Sequence, residues 1–380
     1  MVKKAKQENF IALDLTSHSA KLLGFSKSSD KFDLESVSEV MVEKGKRVDV
    51  KGLEHAISEC NAQVGKTYKE AVLGLSGEHV FGFLLIVKSK REKPTKKITE
   101  KEMDQLYKRI KDLAIQKARL RWDSNFAYTA ELEILDLVVT STQIDGQLIE
   151  DPIGTLGSSI SLAVYCSFSD KKHYDWAIKL ASKAGLSVFE TTTTLYSQSR
   201  ILAEETENFI IADIGSMYTD IGIVFGRNLI ETKSFDIGGD YFTRHLEKEK
   251  QLDYGKANAK KESFADGTLS EDEVDQVGDI LFEAGKTWVL SFKTILASLG
   301  DIKSFPTVIY LTGGSAQLSV IKELLYENGW LKEIPFLNEP EIKIVDRELL
   351  NRHLNDKIKA VQTSKLFVTA SLSVIKKEII

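Results

Sequence analysis

"FIALDLTSHSAKLLGF" (Phe10–Phe25) and "FIIADIGSMYTDIGIVF" (Phe209–Phe225) follow one layout. Each opens with an apolar, β-favouring run that ends in an aspartate, Asp14 or Asp213. Each then crosses a few small and polar residues and returns as a second apolar run. That pattern predicts a strand, a tight turn and an antiparallel strand. The two copies stand about half of the 380-residue chain apart, too wide for a short-period solenoid. Two related α/β halves are the expectation.

The stretch between them has a different character. "AVLGLSG" reads as a buried strand ending at Gly77, and "HVFGFLLIV" as the next strand. Thr99 and Glu102 form a capping box that opens a helix whose apolar stripe is Met103, Leu106, Ile110, Leu113 and Ala114. Strands over 130–139 and 143–149 follow, so the segment reads as a compact strand–helix–strand–strand insert. "IEDPIGTLG" punctuates the chain before a new strand, "ISLAVYCSF". Beyond it come helices over 174–185 and 195–205, a glycine turn into a helix in "FDIGGDYFTRHL", a long helix over 270–299, and strand–Gly-Gly–helix in "TVIYLTGGSAQL". The last segment, Leu366 to Ile375, is apolar nearly all round, which predicts burial within a domain.

Composition narrows the function classes. At 42% hydrophobic and 28% charged residues the chain can bury sizeable cores, and its longest apolar runs are too short to span a bilayer. The lysines of "MVKKAKQENF" are followed by no apolar segment of the secretory kind. Two scattered cysteines, Cys60 and Cys166, make neither a disulfide framework nor a zinc site, which fits a reducing cytoplasm. A net charge of −5 argues against a general nucleic-acid binder. One asymmetry hides in that average: residues 88–121 hold 13 basic and 5 acidic side chains, a local +8 that leaves −13 elsewhere. A solvated helix face is the plain reading, and a docking surface for an acidic partner or anionic lipid the sharper one. "VGKTYK" imitates the tail of a phosphate loop, but Cys60 stands where that loop needs glycine.

The hairpins carry the chemistry. A triphosphate with Mg²⁺ needs hydroxyls or backbone N–H groups around its oxygens and carboxylates for the hydrated metal. Asp14 and Asp213, at the ends of core strands, can face one another across a cleft as metal-holding and catalytic acids. Thr16, Ser17, Gly215, Ser216 and Thr219 supply small or hydroxyl groups at the turns, and Lys21 reaches a phosphate from the return strand. Gly313 and Gly314, followed by Ser315, let backbone approach a purine or ribose, and Gly238 and Gly239 open another helix.

Phosphate hairpin, second phosphate hairpin and "LTGG" loop, in that order, resemble the actin/Hsp70/sugar-kinase superfamily. "DPIGTLG", the insert and "FDIGGDYFTRHL" are similar to the bacterial actin homologue FtsA, while "ALDLTSHSAKLL" reads equally like PilM of type IV pilus assembly. The resemblance implies an α/β, actin-like (ribonuclease H-like), two-lobed ATPase fold with an inserted strand–helix–strand–strand (SHS2-type) subdomain. Residues 9–77 and 161–206 would form the first lobe, with a C-terminal helix over 356–380 packing back onto it. Residues 78–160 would be the insert, attached to the first lobe, and 207–355 the second lobe. It further implies ATP and Mg²⁺ as cofactors and self-association into filaments. The partners implied are the FtsZ C-terminal peptide and division proteins at the inner face of the cell membrane; the alternative is the tail of a pilus membrane protein.

Departures from the family set the expected chemistry. Thr16 stands in place of a usual glycine, and Ser216 and Met217 in place of a glycine pair. Thr194 and Leu195 replace a Glu–Pro pair whose acid positions the attacking water, and Lys260 or Lys261 replaces an acid that holds the ribose. At most a weak ATPase is expected. A sugar or acetate kinase is disfavoured because no second acidic cluster offers a substrate base. "KLFVTASLSVIKKEII" resembles the last domain helix rather than a membrane anchor, so membrane contact is expected to be peripheral or through a partner's tail.

Overall fold

The computed structural model describes residues 9–375 other than Ser17, 29–30, 43–45 and 328. The first copy of the repeated layout becomes β1 (Asn9–Leu15) and β2 (Ser19–Lys27), continued antiparallel by β3 (Phe32–Met41). Helix α1 (Val50–Val64) starts at Asp49, whose carboxylate accepts from Gly52 N, and stops at Gly65, where φ of 62° suits glycine. The Gly-Lys-Thr triplet is therefore a helix stop, with Lys66 paired to Glu35 at 2.7 Å. Next comes β4 (Glu70–Leu75), parallel to β1.

The insert follows as β5 (Val80–Lys90), α2 (Glu100–Asn125), β6 (Leu132–Ile144), the short β7 (Gln147–Leu148) and β8 (Ser159–Asp170). Thr99 caps α2 by accepting from Glu102 N, but the Glu102 carboxylate turns to Arg91 at 2.7 Å instead of completing the box. Helix α3 (Lys171–Lys183), β9 (Ser187–Thr193) and α4 (Thr194–Leu202) return the chain to the first lobe.

The second copy becomes β10 (Phe209–Ile214) and β11 (Thr219–Phe225), followed by β12 (Asn228–Phe235), α5 (Gly239–Lys250), α6 (Tyr254–Ala265) and α7 (Glu271–Ser298). Strand β13 (Val308–Thr312), α8 (Ser319–Tyr326), β14 (Glu341–Ile344), β15 (Leu354–Asp356) and α9 (Ser364–Ser371) complete the chain. Helix α7 buries Val277, Leu281, Trp288, Phe292 and Leu296 along one stripe against the second sheet. Side chains of that size stabilise by about 1.5–3 kcal/mol each when fully buried.

The sheets are ordered β15-β3-β2-β1-β4-β9 and β14-β13-β10-β11-β12-β5-β8-β6-β7. Two expected boundaries move. "ISLAVYCSF" lies in β8, between β5 and β6, so the insert runs to Asp170 rather than stopping at 160. Ile160, Leu162, Val164, Cys166 and Phe168 line its α2-facing core. The preceding Gly-rich loop is a turn inside the insert, where Asp145 accepts from Ser158 N at 2.9 Å and Ser159 N at 2.8 Å. At the other end β15 pairs with β3 from Leu354 onward, one residue from the expected 355. The helix expected over 356–380 is confined to α9 and a 3-10 turn at Leu372–Val374; 376–380 lie outside the described residues. The insert, expected on the first lobe, is also hydrogen-bonded to the second through β5 and β12.

Candidate functional site

Both aspartates stand at the C-terminal ends of the central strands β1 and β10, and both are buried. Lys21 is the register partner of Asp14 across β1 and β2. Burial raises the Asp14 carboxyl, the Lys21 charge opposes that rise, and Glu39 adds to it. Burial pushes Asp213 up to about 7, with the nearby Asp220 and Asp14 charges adding to the effect. The Asp14 charge thus lies near enough to Asp213 to add to that rise.

The hairpin turns serve other partners. Thr16 Oγ1 accepts from Ser19 N at 3.0 Å and from His18 N at 3.3 Å, so it holds its own turn. Ser17 lies outside the described residues. Thr219 was expected to face the nucleotide and does not. It is fully buried, donates to Ile237 O at 2.6 Å and accepts from Trp288 Nε1 at 2.9 Å, within the second-lobe core. Gly215 O and Ser216 O accept from Gly239 N at 2.9 Å and Asp240 N at 2.8 Å, so the first amides of α5 clamp the turn. That contact requires glycine: a Cβ at Gly238 would lie 2.5 Å from Ser216 O, and one at Gly239 would lie 2.3 Å from Ser315 Oγ.

The Gly-Gly loop lies directly on the second acid. Gly313 has φ of 84°, and a Cβ there would stand 2.5 Å from Asp213 Oδ1 and 2.6 Å from Ile214 O. Its carbonyl accepts from Ser364 Oγ at 2.8 Å, which brings the start of α9 onto the loop; Gly314 faces the stem of Lys365. Among the two lysines weighed for the ribose position, Lys260 pairs with Glu273, while Lys261 turns inward. Lys261 Nζ donates to Thr243 Oγ1 and Asn258 Oδ1 at 2.9 Å and to Gly239 O at 3.2 Å, and burial lowers it to about 8.

Two further residues escaped the sequence reading. Gln198 on α4 is buried between lobes, donating Nε2 to Asp213 Oδ2 at 2.8 Å and accepting Thr312 Oγ1 at 2.6 Å. Asp220 is the register partner of Asp213 and accepts from Gly77 N at 3.1 Å and from Ser234 Oγ. Burial raises it to about 6. Its signal was strand parity. Gln198 could have been found as a lone amide in a short helix that is apolar or small at most other positions, where a buried polar group must have partners.

Whether ATP with hydrated Mg²⁺ fits can be tested on orphaned atoms. Asp14 Oδ1, Thr194 Oγ1 and Thr369 Oγ1 are buried without hydrogen-bond partners. Asp14 is the register partner of Gly74, the Leu372 side chain and the Thr194 methyl close over that glycine, and the Thr369 hydroxyl lies beside Asp14. The Thr369 hydroxyl faces the Asp14 carboxylate and lowers it, which leaves one open carboxylate oxygen and the Thr194 hydroxyl to meet the water shell of a cation, so the residues fit the metal end of the group. Among the described residues no three His, Cys, Asp or Glu side chains are grouped to ligate a bare metal.

No protein-family model matches the chain, and no curated protein matches it in sequence. Solved structures do. The PilM–PilN type IV pilus biogenesis complex matches at TM-score 0.67 and 16% identity, covering 97% of this chain and 98% of that one. The ethanolamine utilization protein EutJ from Carboxydothermus hydrogenoformans matches at TM-score 0.53 and 11% identity, covering 98% and 92%. MreB 5 of Spiroplasma citri bound to AMPPNP matches at 0.47 and 11% identity, over 91% and 94%. At such identities the likeness speaks of architecture, and the architecture is the actin-like ATPase fold.

Proposed function

We propose that this chain is a nucleotide-binding adaptor that holds a segment of a membrane protein, as PilM is found in complex with PilN. The observation that carries this reading is the open face of the insert. Helix α2 covers one side of its sheet, but on the other Ile86 is 62% exposed on β5, beside the half-buried Leu84, with Ala163 on β8 only partly covered. Ile86 pairs across the ladder with Ala163 and shares its face with Leu84, so it is this joined apolar strip, rather than one exposed side chain, that a partner would cover. Among the described residues no helix is long and apolar enough to cross a membrane; contact at the inner membrane face would come through the partner.

The nucleotide would join the lobes. Asp14 and Asp213 would hold Mg²⁺ through water, Lys21 would face phosphate, and Gly313, Gly314 and Ser315 would flank the adenosine. The metal's contribution is to offset phosphate charge between two acidic strand ends. Hydrolysis would be slow: Thr194 is a poor acceptor for a water proton, and the Gln198 amide is engaged by Asp213 and Thr312. Thermal shift with ATP–Mg²⁺ on wild type and Asp213→Ala tests the cleft, and no shift at millimolar nucleotide removes it. Affinity capture of membrane-protein tails, with Ile86→Glu as control, tests the adaptor; capture indifferent to the substitution rejects the surface.

A second reading is an FtsA-like protein that polymerises with ATP and links FtsZ to the division machinery. Charge favours it: α2 lies in the basic 88–121 segment, while α7 opens with exposed Glu271, Asp272, Asp275 and Asp279, so two copies can meet head to tail. Sedimentation with ATP–Mg²⁺ tests polymerisation, and neighbouring pilus or division genes separate the two readings.

A further inference from the structure

We propose that the insert is a latch, carried by the first lobe and fastened to the second at the joint between β5 and β12, which has to open before the lobes can part. Its use in retaining nucleotide rests on the reading above; the latch itself does not.

The insert touches both lobes, and its two attachments differ in kind. On the first lobe they are buried. Asp136 of β6, 1% exposed, accepts from Thr192 Oγ1 at 2.8 Å, Thr193 N at 3.1 Å and Ser167 Oγ. Tyr165 of β8 stacks on Tyr196 of α4 with ring centroids 4.9 Å apart. The chain also enters and leaves the insert through first-lobe elements, β4 and α3. Breaking this side would strand a carboxylate in the interior, which is strongly disfavoured.

On the second lobe the attachment is narrow and reaches the surface. One ladder pair, Phe83 with Glu231, joins the strands. Gly82 N donates to Thr232 Oγ1 at 2.6 Å. Arg121, near the end of α2, grips Glu231 with both arms, one at 2.7 Å, and these side chains are 28% and 13% exposed. Tyr218 Oη to Glu78 at 2.8 Å and Lys233 to Asn125 at 3.3 Å lie at the rim. Apart from the buried Gly82–Thr232 hydrogen bond and the Phe83 side chain, these groups lie at or near the surface, where water can take them over when the joint opens, so this side yields first.

The design also provides for reclosure. The Arg121 guanidinium lies 4.7 Å from the centroid of the buried Phe83 ring, and Lys117 Nζ 4.6 Å from the same ring. Both contacts stay within the insert, so Arg121 is held in place for Glu231 when the lobes come back. The joint also connects to the cleft, because Asp220 accepts from Ser234 on β12 and from Gly77 at the root of the insert.

Hydrogen exchange on the intact chain reads the latch directly. In Arg121→Ala and Glu231→Gln, the amides at the joint, Gly82, Phe83 and Glu231, should exchange about tenfold faster, while those of β6 and β9 around Asp136 keep their wild-type protection. The charge swap Arg121→Glu with Glu231→Arg should restore protection. Small-angle scattering of the single variants should show a larger radius, and a fluorescent ATP analogue should dissociate about tenfold faster. Unchanged exchange at Gly82, Phe83 and Glu231, or loosening that spreads equally to β6 and β9, overturns the latch. A protein that gives no thermal shift with ATP–Mg²⁺ defeats the nucleotide reading alone. The latch then stands if the β5–β12 amides open ahead of those pairing β5 with β8, and falls if all open together.

Discussion

Asp213→Asn should make the ligand-free protein more stable at neutral pH, and the gain should shrink as the solution is acidified. The wild-type carboxyl is 6% exposed, and its burial with the Asp220 and Asp14 charges near it raises it to about 7. In the unfolded chain it returns to about 3.9. The native state therefore binds this proton more tightly than the unfolded state does. Its ionisation opposes folding: the penalty is absent below about pH 4, grows between about pH 4 and 7, and stays constant above. Three pH units at ~1.4 kcal/mol each set a ceiling of ~4 kcal/mol. Asparagine carries no charge and can still accept from Gln198 Nε2, but its own amide group must find an acceptor beside Gly313, which takes back about 1–2 kcal/mol. A net gain of about 2–3 kcal/mol at pH 8, crossing zero at about pH 5 and becoming a loss of about 1–2 kcal/mol near pH 4, is expected in urea unfolding of both proteins. Added ATP–Mg²⁺ should stabilise wild type more than the variant, since the cation gives the charge a purpose. A variant no more stable than wild type at pH 8, or a difference that ignores pH, would refute the argument.

Gly313→Ala forces a methyl to within 2.5 Å of Asp213 Oδ1 at φ of 84°, so it should lower the melting temperature and abolish any thermal shift with nucleotide. Thr219→Val deprives the buried Trp288 Nε1 of its acceptor and should destabilise by about 1–3 kcal/mol while leaving nucleotide affinity unchanged; a loss of affinity in a well-folded variant would return Thr219 to the site. Phosphate release should run far below the roughly one turnover per second of an ordinary ATPase, because Thr194 replaces the expected acid; turnover at that ordinary rate would mean another group orients the water.

What the sequence made legible was local. An apolar run ending in aspartate, followed by small residues and a second apolar run, has few foldings other than a hairpin, and both copies form one. The glycines were legible as close approaches, though not what approaches them: at Gly238 and Gly239 it is a loop carbonyl and the Ser315 hydroxyl. Thr219 went wrong through strand parity. Thr219, Ile221 and Ile223 share one face of β11, and Ile221 and Ile223 belong to the core, so Thr219 had to face the core and Asp220 the other side. Choosing the residue by its hydroxyl instead of its parity put the hydrogen-bonding group on the wrong face of the sheet.

The insert failed to be legible for a different reason. Its strands were visible, but their partners depend on contacts that no local pattern encodes: Arg121 meets Glu231 across 110 residues, and Gly82 meets Thr232 across 150. The turn residues of "DPIGTLG" look alike whether they close a domain or cap a loop within one, since Asp145, Ser158 and Gly157 satisfy the same backbone demands in either case. Only the pairing of β8 between β5 and β6 decides that the strand after the loop belongs to the insert. The same pairing leaves β5 as the strand that must meet β12, its other edge being the only one in the insert that lies against the second lobe's sheet. A sheet edge facing another sheet's edge at strand spacing closes by hydrogen bonding, because unpaired backbone groups beside one another are disfavoured and the pair restores them. The joint between insert and second lobe thus follows from topology once β8 is placed, and its ladder is the single pair Phe83 with Glu231, reinforced by the Gly82–Thr232 hydrogen bond and the Arg121–Glu231 ion pair.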